Sequence, residues 1–287
     1  MKTFVIYNKK ANNNQGAKGA FKIKDIWVHK DLIYKELNEF STYRELFDSL
    51  DPDDEVVICG GDGTLNYLVN DLDCAAVQNP IFYFPTGSGN DFWHDLGKSA
   101  ENGPAQINPY LVKLPTVHVN GISRKFINDV GYGIDGYCCE VSDKQRAAGG
   151  NKPINYTSIA IKGLLFHYQP TRASVTVDGV THTFEKVWLA PTMNGRFYGG
   201  GMMPTPGQNR LNHARTVTTM LMHSRGKLLT LAAFPAIFKG EHVHKTDIVS
   251  VFTGRHVRVS FDRPVPLQID GETILSVSTY EVETAQP

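Results

Sequence analysis

A strand, a glycine turn and a helix are predicted in direct succession from one stretch, Glu55-Val-Val-Ile-Cys-Gly-Gly-Asp-Gly-Thr-Leu-Asn-Tyr-Leu-Val-Asn-Asp-Leu72. The run Glu55–Cys59 has the length and apolar content of a buried strand. After Thr64, leucine and valine recur at helical spacing, at positions 65, 68, 69 and 72. The stretch therefore predicts one strand-loop-helix unit with Gly60 to Gly63 in its loop.

A second unit with the same order follows along the chain. Ile81–Phe84 predicts a strand, Pro85–Gly89 a loop, and Asn90–Leu96 a short helix that ends at a glycine. Upstream, Phe4–Tyr7 predicts a first strand, and a capping box at positions 42 and 45 predicts a helix that ends before Pro52. Strands that alternate with helices indicate an α/β domain with a parallel sheet.

After about residue 100 the pattern changes to short, often alternating apolar runs, which favour antiparallel β structure. Asp178-Gly179 and Asp270-Gly271 are typical of two-residue hairpin turns. Two helices are predicted, over Tyr156–Phe166 and Leu228–Phe238. The predicted strands are Val117–Val119, Phe126–Val130, Ala173–Val177, Val180–Phe184, Val187–Ala190, Ile248–Phe252, Val257–Phe261 and Leu267–Ile269.

The composition between residues 98 and 112 is that of a linker, so two domains are predicted. Residues 1–108 form the α/β domain and residues 109–287 the β-rich domain. The chain has 29 basic and 29 acidic residues, which excludes the basic footprint of a nucleic-acid-binding protein. Its longest apolar stretch is too short to span a bilayer, and its first residues do not resemble a secretion signal. We therefore expect a cytoplasmic protein with reduced, buried cysteines, Cys59, Cys74, Cys138 and Cys139.

Two glycine loops are the candidate ligand site. Gly60–Thr64 and Gly87–Asp91 each follow a predicted strand, and loops at the carboxyl ends of parallel strands meet at one edge of the sheet. Glycines there let backbone approach a phosphate closely. The alternative is a pair of tight β-α turns without a ligand, which two such loops together make the less favoured hypothesis. Neither loop is a Walker A motif, and the protein-kinase motifs are absent from the sequence.

A third glycine motif, Gly131-Tyr-Gly-Ile-Asp-Gly136, has the spacing of a dinucleotide-binding loop. Dinucleotide binding requires a helix after this loop. A stable helix is not expected there, because Gly136 and two cysteines lie at its start. No acidic residue ends a second strand about 20 residues later, where such a site needs one. A dinucleotide site is therefore disfavoured.

Five segments in order resemble the diacylglycerol kinase catalytic domain family, which includes bacterial lipid kinases and sphingosine and ceramide kinases. The resemblance implies an ATP-binding α/β domain like that of NAD kinase and phosphofructokinase, followed by an antiparallel β-sandwich. It also implies an ATP- and Mg²⁺-dependent transfer of phosphate to a lipid hydroxyl, with diacylglycerol as the favoured acceptor and transient contact with a membrane surface. The segments are Gly60–Asn66, Pro85–Phe92, Phe126–Asp135, Tyr198–Pro204 and Ile269–Glu272.

The family's functional residues fall on positions of this chain. Asp62 matches the carboxylate that reaches Mg²⁺, with Asp91 supporting it, and Glu272 matches the catalytic base. Without the resemblance, Asp62 and Asp91 would be taken as turn and helix caps, and Glu272 as a solvated hairpin residue. The implied ATP contacts are Asn8, Gly61, Asp62, Gly63, Thr64, Leu65, Asn66, Gly87, Ser88, Gly89 and Asn90.

Some positions depart from the family. Lys113 stands where the family has an aspartate of its magnesium network, Asn209 where it has the aspartate of a structural magnesium site, and Tyr67 where it has a glutamate. Hard cations prefer oxygen anions, so we expect weakened metal binding. These departures leave open a catalytically weak protein that binds nucleotide or lipid. The Gly60–Thr64 motif leaves open an NAD kinase as a second alternative. The oligomeric state cannot be inferred from the sequence.

Overall fold

Two units of the chain, Met1–Leu114 and Pro115–Pro287, each have a hydrophobic core of their own in the computed structural model. The structure describes residues 1–9, 15–87, 89–148, 156–223 and 226–286. The first unit extends six residues beyond the predicted boundary at 108. Asn108 holds this segment to the unit, because its side chain accepts a hydrogen bond of 2.8 Å from the backbone N–H of Ile81.

The first unit contains a sheet in the strand order β2-β1-β3-β4-β5. The pairings among the first four strands are parallel, as predicted, and the short β5 pairs antiparallel with β4. Every residue of the central strand β3 is buried, which accounts for its continuous apolar run. The strands are β1 (Thr3–Tyr7), β2 (Leu32–Glu36), β3 (Glu55–Gly60), β4 (Ile81–Pro85) and β5 (Ala105–Gln106).

Two helix ends of this unit lie where the sequence predicts them. Thr42 accepts a hydrogen bond from the backbone N–H of Glu45 at 3.0 Å, and Gly97 ends a helix in the left-handed conformation at φ 63°. The helices are α1 (Gly16–Ala20), α2 (Ile23–Ile26), α3 (Tyr43–Asp48), α4 (Asp62–Asp71), α5 (Asp91–Leu96) and α6 (Asn108–Leu111), with 3₁₀ turns at Leu37–Glu39 and Ala100–Asn102.

The second unit is an antiparallel β-sandwich, as predicted, and six of its strands close into a ring. The ring runs β14-β8-β11-β12-β10-β9 and closes because β9 pairs with β14 as well as with β10. Closure removes the free strand edges that would otherwise pair with other chains. The strands are β6 (Thr116–Val119), β7 (Ile122–Lys125), β8 (Asp129–Tyr132), β9 (Thr171–Val177), β10 (Val180–Leu189), β11 (Thr192–Met193), β12 (Val217–His223), β13 (Val249–Gly254), β14 (His256–Ile269) and β15 (Glu272–Glu283).

Both predicted hairpins are confirmed. Asp178 and Gly179 join β9 to β10, and Asp270 and Gly271 join β14 to β15, all four residues with positive φ. Both predicted helices are present as paired short segments. The helical segments are α7 (Ile134–Ala147), α8 (Tyr156–Lys162), a π-turn (Gly163–His167), α9 (Lys227–Ala233) and 3₁₀ turns at Phe234–Lys239 and Glu241–His244.

The structure corrects several expectations. The predicted strands Val180–Phe184 and Val187–Ala190 belong to one strand, β10, which ends at Leu189, and Val257–Phe261 and Leu267–Ile269 belong to one strand, β14. The predicted strand Phe126–Val130 begins only at Asp129, because the preceding N–H groups bond to the carboxylate of Asp270 instead of to a neighbouring strand. The helix expected to be poor after Gly133 is the fourteen-residue α7. Gly136 allows this helix to lie against β14, since a Cβ at that position would collide with the carbonyl oxygen of Pro266.

The four cysteines are free, and Cys59, Cys74 and Cys138 are buried, as predicted, whereas Cys139 is only half-buried and the expectation for it was wrong. Burial raises the pKa of the thiols of Cys59 and Cys138 far above its ordinary value. Among the described residues, no helix is both long and apolar enough to cross a membrane.

Candidate functional site

The two glycine loops of the first unit touch through their backbones. A Cβ at Gly87 would meet the Gly61 backbone, with the nitrogen only 2.8 Å away, and a Cβ at Gly61 would lie 3.0 Å from the carbonyl oxygen of Gly89. These contacts leave no room for a side chain at either position. Gly61 and Gly87 are therefore required for loop contact, whether or not a ligand binds.

The Asp62 side chain joins the two loops. Its two carboxylate oxygens accept hydrogen bonds from the backbone N–H groups of Asp91 and Phe92, at 2.9 and 3.0 Å. Asp62 thus caps α5, although it lies in the first turn of α4. The capping alternative for Asp62 is confirmed.

The carbonyl oxygen of Gly60 is the second link between the loops. It accepts hydrogen bonds from the N–H groups of Thr86 and Gly87, at 2.9 and 3.0 Å, and from the hydroxyl of Tyr83 at 3.0 Å. The Asn90 side chain completes the second loop by donating to the Gly87 carbonyl oxygen at 2.9 Å. The two loops therefore form one hydrogen-bonded body at the ends of β3 and β4.

The other residues predicted to contact ATP lie around this body with different exposure. Gly63 is exposed, and a Cβ added there would have no atom within 4 Å, so the start of α4 is open at this position. Leu65 and Asn66 are fully buried, so the side chain of Leu65 belongs to the core. The backbone N–H of Asn8 donates a hydrogen bond of 3.3 Å to the carbonyl oxygen of Cys59 in β3. Thr64 is half-buried beside Gly60, and Ser88 lies outside the described residues.

Asp62 and Asp91 are the carboxylates beside the two loops. Each Asp62 oxygen accepts one N–H group, which leaves lone pairs for a metal ion that arrives with a nucleotide. Asp62 and Asp91 lie in adjacent loops, and Mg²⁺ is usually held by one or two carboxylates together with substrate phosphates. The described residues contain no cluster of three or more His, Cys, Asp or Glu side chains that could hold a metal by themselves. Lys113, which stands where the family has an aspartate, is exposed.

In the second unit, Glu272 lies at the tip of the β14–β15 hairpin. Its carboxylate pairs with the guanidinium of Arg124, and the two side chains are 55% and 25% exposed. The hydrogen bond to Glu272 raises the pKa of Arg124. The next residue, Thr273, donates to the Asp143 carboxylate of α7 at 2.7 Å and so holds the hairpin to that helix. Glu272 is thus an oriented carboxylate that solvent reaches.

Sequence reasoning missed a buried network around the segment before β8. The Asp270 carboxylate accepts hydrogen bonds from the N–H groups of Ile127, Asn128 and Asp129, at 2.6, 2.7 and 3.1 Å. The buried guanidinium of Arg210 donates to the Ile127 carbonyl oxygen and, at 2.6 Å, to Asn128 Oδ1. Its exposed neighbour at position 209 caps a local turn. The signal in the sequence that could have found this network is the departure from the family pattern at position 209.

A second missed residue is Asp135, in the first turn of α7. Its Oδ1 accepts a hydrogen bond of 2.8 Å from the Tyr198 hydroxyl, whereas its buried Oδ2 has no partner among the described residues. Burial raises the pKa of Asp135 to about 7. Tyr198 reaches it because Gly199, Gly200 and Gly201 all adopt positive φ and form a tight turn.

The loop contact predicts unequal effects on stability for two alanine substitutions. Gly87→Ala places a methyl group against the Gly61 backbone and should lower the free energy of unfolding by about 1–3 kcal/mol. Gly89→Ala should change it by less than about 0.5 kcal/mol, because its methyl group would meet only Asp62 Oδ2 at 3.6 Å. Chemical denaturation without nucleotide measures both, and equal values would contradict the contact.

The buried carboxyl of Asp135 predicts a pH-dependent stability. Its pKa is about 7 in the folded protein and near 3.8 in an unfolded chain, so between these values the folded state holds a proton that the unfolded state has lost. Stability should therefore fall as pH rises from about 4 to 7, by up to about 1.4 kcal/mol per pH unit.

The measurement is the melting temperature of wild type and Asp135→Asn across this pH range. The variant cannot ionise, so its melting temperature should fall less steeply. The matched control is Asp262→Asn, at an exposed position of the same unit, which should follow wild type. Parallel curves for wild type and Asp135→Asn would show that this carboxyl does not set the pH dependence.

In comparisons with known proteins, each of the two units contains a match to a known domain family. Residues 2–114 match the diacylglycerol kinase catalytic domain, and residues 128–284 match the YegS C-terminal NAD kinase beta sandwich-like domain. A diacylglycerol kinase of Mycobacterium tuberculosis (strain CDC 1551 / Oshkosh) is 29% identical over 213 residues, 72% of this chain. The match spans 66% of that relative, just under two thirds of its length.

Two further relatives extend the comparison. A protein of Staphylococcus aureus (strain JH9), whose provisional name is that of a lipid kinase, is 26% identical over 235 residues, 77% of this chain and 72% of that protein. The crystal structure of a diacylglycerol kinase from Bacillus anthracis str. Sterne shares the fold, with a TM-score of 0.62 at 16% identity over 99% of this chain and 94% of that one. The chain belongs to the diacylglycerol kinase catalytic domain family, with a second domain of the YegS C-terminal type.

Proposed function

We propose that this protein is a lipid kinase that transfers the γ-phosphate of ATP to the hydroxyl group of a membrane lipid, with diacylglycerol as the acceptor. The observation that carries the proposal is the pair of glycine loops locked together by Asp62, in a chain of this family. The M. tuberculosis relative is named a diacylglycerol kinase, and this supports the choice of acceptor.

The nucleotide phosphates would lie against the loop body at the start of α4. Helix α4 has ten residues, so its N-terminal N–H groups and its dipole favour an anion there. The exposed Gly63 position leaves that end free of side-chain obstruction. Asp62 and Asp91 would hold the Mg²⁺ of the nucleotide, which neutralises charge on the phosphates during transfer.

Glu272 would act on the acceptor. As the lipid oxygen forms its bond to the γ-phosphorus, the bond from that phosphorus to the oxygen of ADP breaks, and the hydroxyl proton passes to the Glu272 carboxylate. Arg124 orients this carboxylate, and the hairpin contact through Thr273 fixes its backbone. Because the side chain is more than half exposed, a substrate hydroxyl can approach it.

The site of action follows from the acceptor. Diacylglycerol is held in the bilayer by its acyl chains, so the enzyme would act from the cytoplasm through transient contact with the membrane surface. The direct test is a kinase assay with radiolabelled ATP and a panel of lipids, with NAD included as a competing acceptor. Turnover of diacylglycerol supports the proposal, and phosphorylation of NAD alone would replace it by the NAD kinase hypothesis.

Nucleotide binding should depend on the second loop. A valine at Gly89 would place bulk where backbone must meet phosphate, so we expect Gly89→Val to lose ATP binding in calorimetry while its melting transition without ligand stays near that of wild type. The control is Gly207→Val, at an exposed glycine of the second unit with open space around it, which should bind ATP normally. Unchanged affinity in Gly89→Val would show that phosphate binds elsewhere.

Glu272→Gln keeps the size of the side chain but cannot accept a proton. We expect kcat on the best lipid acceptor to fall at least about a hundredfold, with ATP affinity and melting temperature nearly unchanged. The matched control is Glu185→Gln, because Glu185 is also an exposed partner of an arginine, Arg172, in the same unit. It should retain full turnover.

A Glu272→Gln variant with more than a tenth of wild-type turnover would refute the assignment of the base. If wild type shows no turnover across the lipid panel, the catalytically weak regulator becomes the favoured function. The double variant Lys113→Asp, Asn209→Asp then tests whether the missing carboxylates account for the lost activity.

A further inference from the structure

An unusual number of large apolar side chains is exposed on two short helical segments of the second unit. The segments are residues 156–167, which contain α8 and the π-turn, and residues 227–239, which contain α9 and a 3₁₀ turn. Phe166 is 70% exposed, Leu228 77% and Leu229 47%. Ile161 and Phe238 on the same two segments are also exposed. Large apolar side chains exposed on two linked segments are typical of an interaction surface.

Buried residues of the same two segments anchor them to the second unit. Ile159 and Leu164 of the first segment, and Ala233 and Phe234 of the second, are buried in one hydrophobic cluster. The Lys227 ammonium group donates to the carbonyl oxygen of residue 165 at 3.1 Å and so joins the two segments. Each segment thus has a buried inner face and an exposed apolar outer face, which is the pattern of an interfacial amphipathic element.

The charged side chains of the two segments themselves have a single sign. The two segments contain three lysines, Lys162, Lys227 and Lys239, and no aspartate or glutamate. Lys162 and Lys239 are exposed, and within the described parts of the chain no ion pair joins any of the three to an acidic side chain. Exposed apolar side chains flanked by unneutralised lysines are complementary to the headgroups and acyl chains of an anionic bilayer.

We propose that this apolar-basic surface, formed by Ile161, Phe166, Leu228, Leu229 and Phe238 with Lys162 and Lys239, docks the protein on anionic lipid membranes. The proposal rests on the proposed function in one respect, because an enzyme whose lipid acceptor lies in a membrane must reach the bilayer. A second copy of the chain is the less favoured occupant. In a twofold dimer the same patch faces itself, so lysines would meet lysines without an acidic partner.

The apolar part is tested by sedimentation of the full chain with vesicles of phosphatidylcholine and phosphatidylglycerol, without nucleotide. Phe166→Ser, Leu228→Ser should bind these vesicles at least about tenfold more weakly than wild type. The control is Val180→Ser, Leu275→Ser, which removes two similarly exposed apolar side chains, 60% and 54%, from strands of the same unit. It should bind as wild type does, and equal losses in both variants would overturn the proposal.

The basic part is tested by Lys162→Glu, Lys239→Glu. This variant should lose binding to the anionic vesicles, and wild-type binding should weaken as salt rises. The charge-matched control is Lys22→Glu, Lys24→Glu, two exposed lysines of the first unit, which should retain binding. Wild-type binding to pure phosphatidylcholine vesicles as strong as to the anionic ones would overturn the electrostatic part. A change of sedimenting mass without a change of vesicle binding would assign the surface to a dimer instead.

The kinase assay separates this proposal from the proposed function. With a short-chain diacylglycerol dissolved as monomers, Phe166→Ser, Leu228→Ser should turn over as wild type does, whereas with long-chain diacylglycerol in anionic vesicles it should be at least about tenfold slower. Vesicle binding by a wild type that turns over no lipid would support the surface and reject the kinase. Equal turnover of wild type and variant on vesicles would support the kinase and reject the surface.

Discussion

The first unit depends on one carboxylate that accepts two backbone N–H groups. Asp62 is the first residue of α4, yet its oxygens accept the N–H groups of Asp91 and Phe92 at the start of α5, so one helix supplies the cap of the next. Hydrogen bonds to a charged group contribute about 1.5–3 kcal/mol each. Because of this link, the glycine loops cannot separate without leaving N–H groups unpaired. Any Asp62 variant would therefore disturb the loop structure as well as the metal binding proposed for this carboxylate.

In the second unit, too, one carboxylate accepts hydrogen bonds from several backbone N–H groups. Asp270 lies in a hairpin turn and accepts three successive N–H groups that no strand pairs, while Arg210 covers the carbonyl side of that segment. A short piece of irregular backbone is thereby buried at little cost, since its polar groups are satisfied. The network also fixes the hairpin that carries Glu272, so the orientation of the proposed base depends on residues that never touch a substrate.

Local patterns predicted most of the architecture. The strands around the glycine loops, the caps at Thr42 and Gly97 and both Asp-Gly hairpins depend on residues that are neighbours in sequence. Strand β2 was not predicted because it is a half-buried edge strand, whose mixed sequence Leu-Ile-Tyr-Lys-Glu36 has neither an apolar run nor clean alternation. Helix α7 was underestimated because its stability comes from packing against β14, which no local pattern records.

The contacts of the candidate site were likewise predicted only in part. The resemblance to a family singled out Asp62 and Glu272, and capping was an alternative for Asp62. The sequence could not reveal that Asp62 caps the helix of the other loop or that Glu272 pairs with Arg124, since these contacts join residues 29 to 148 positions apart. Asp135 and Arg210 were missed for the same reason. Whether a polar side chain is buried depends on the packing of distant segments around it.

The closed ring of the second unit also constrains how the chain folds during synthesis. Its last closing pair joins β9, which ends at Val177, to β14, which extends to Ile269. On a ribosome the ring cannot close until β14 has emerged, whereas the first unit is contiguous and ends at residue 114. During synthesis the nucleotide-binding half can thus be folded while the other half still exposes unpaired strands. Chaperones that bind nascent β-strands would meet this protein through its second half.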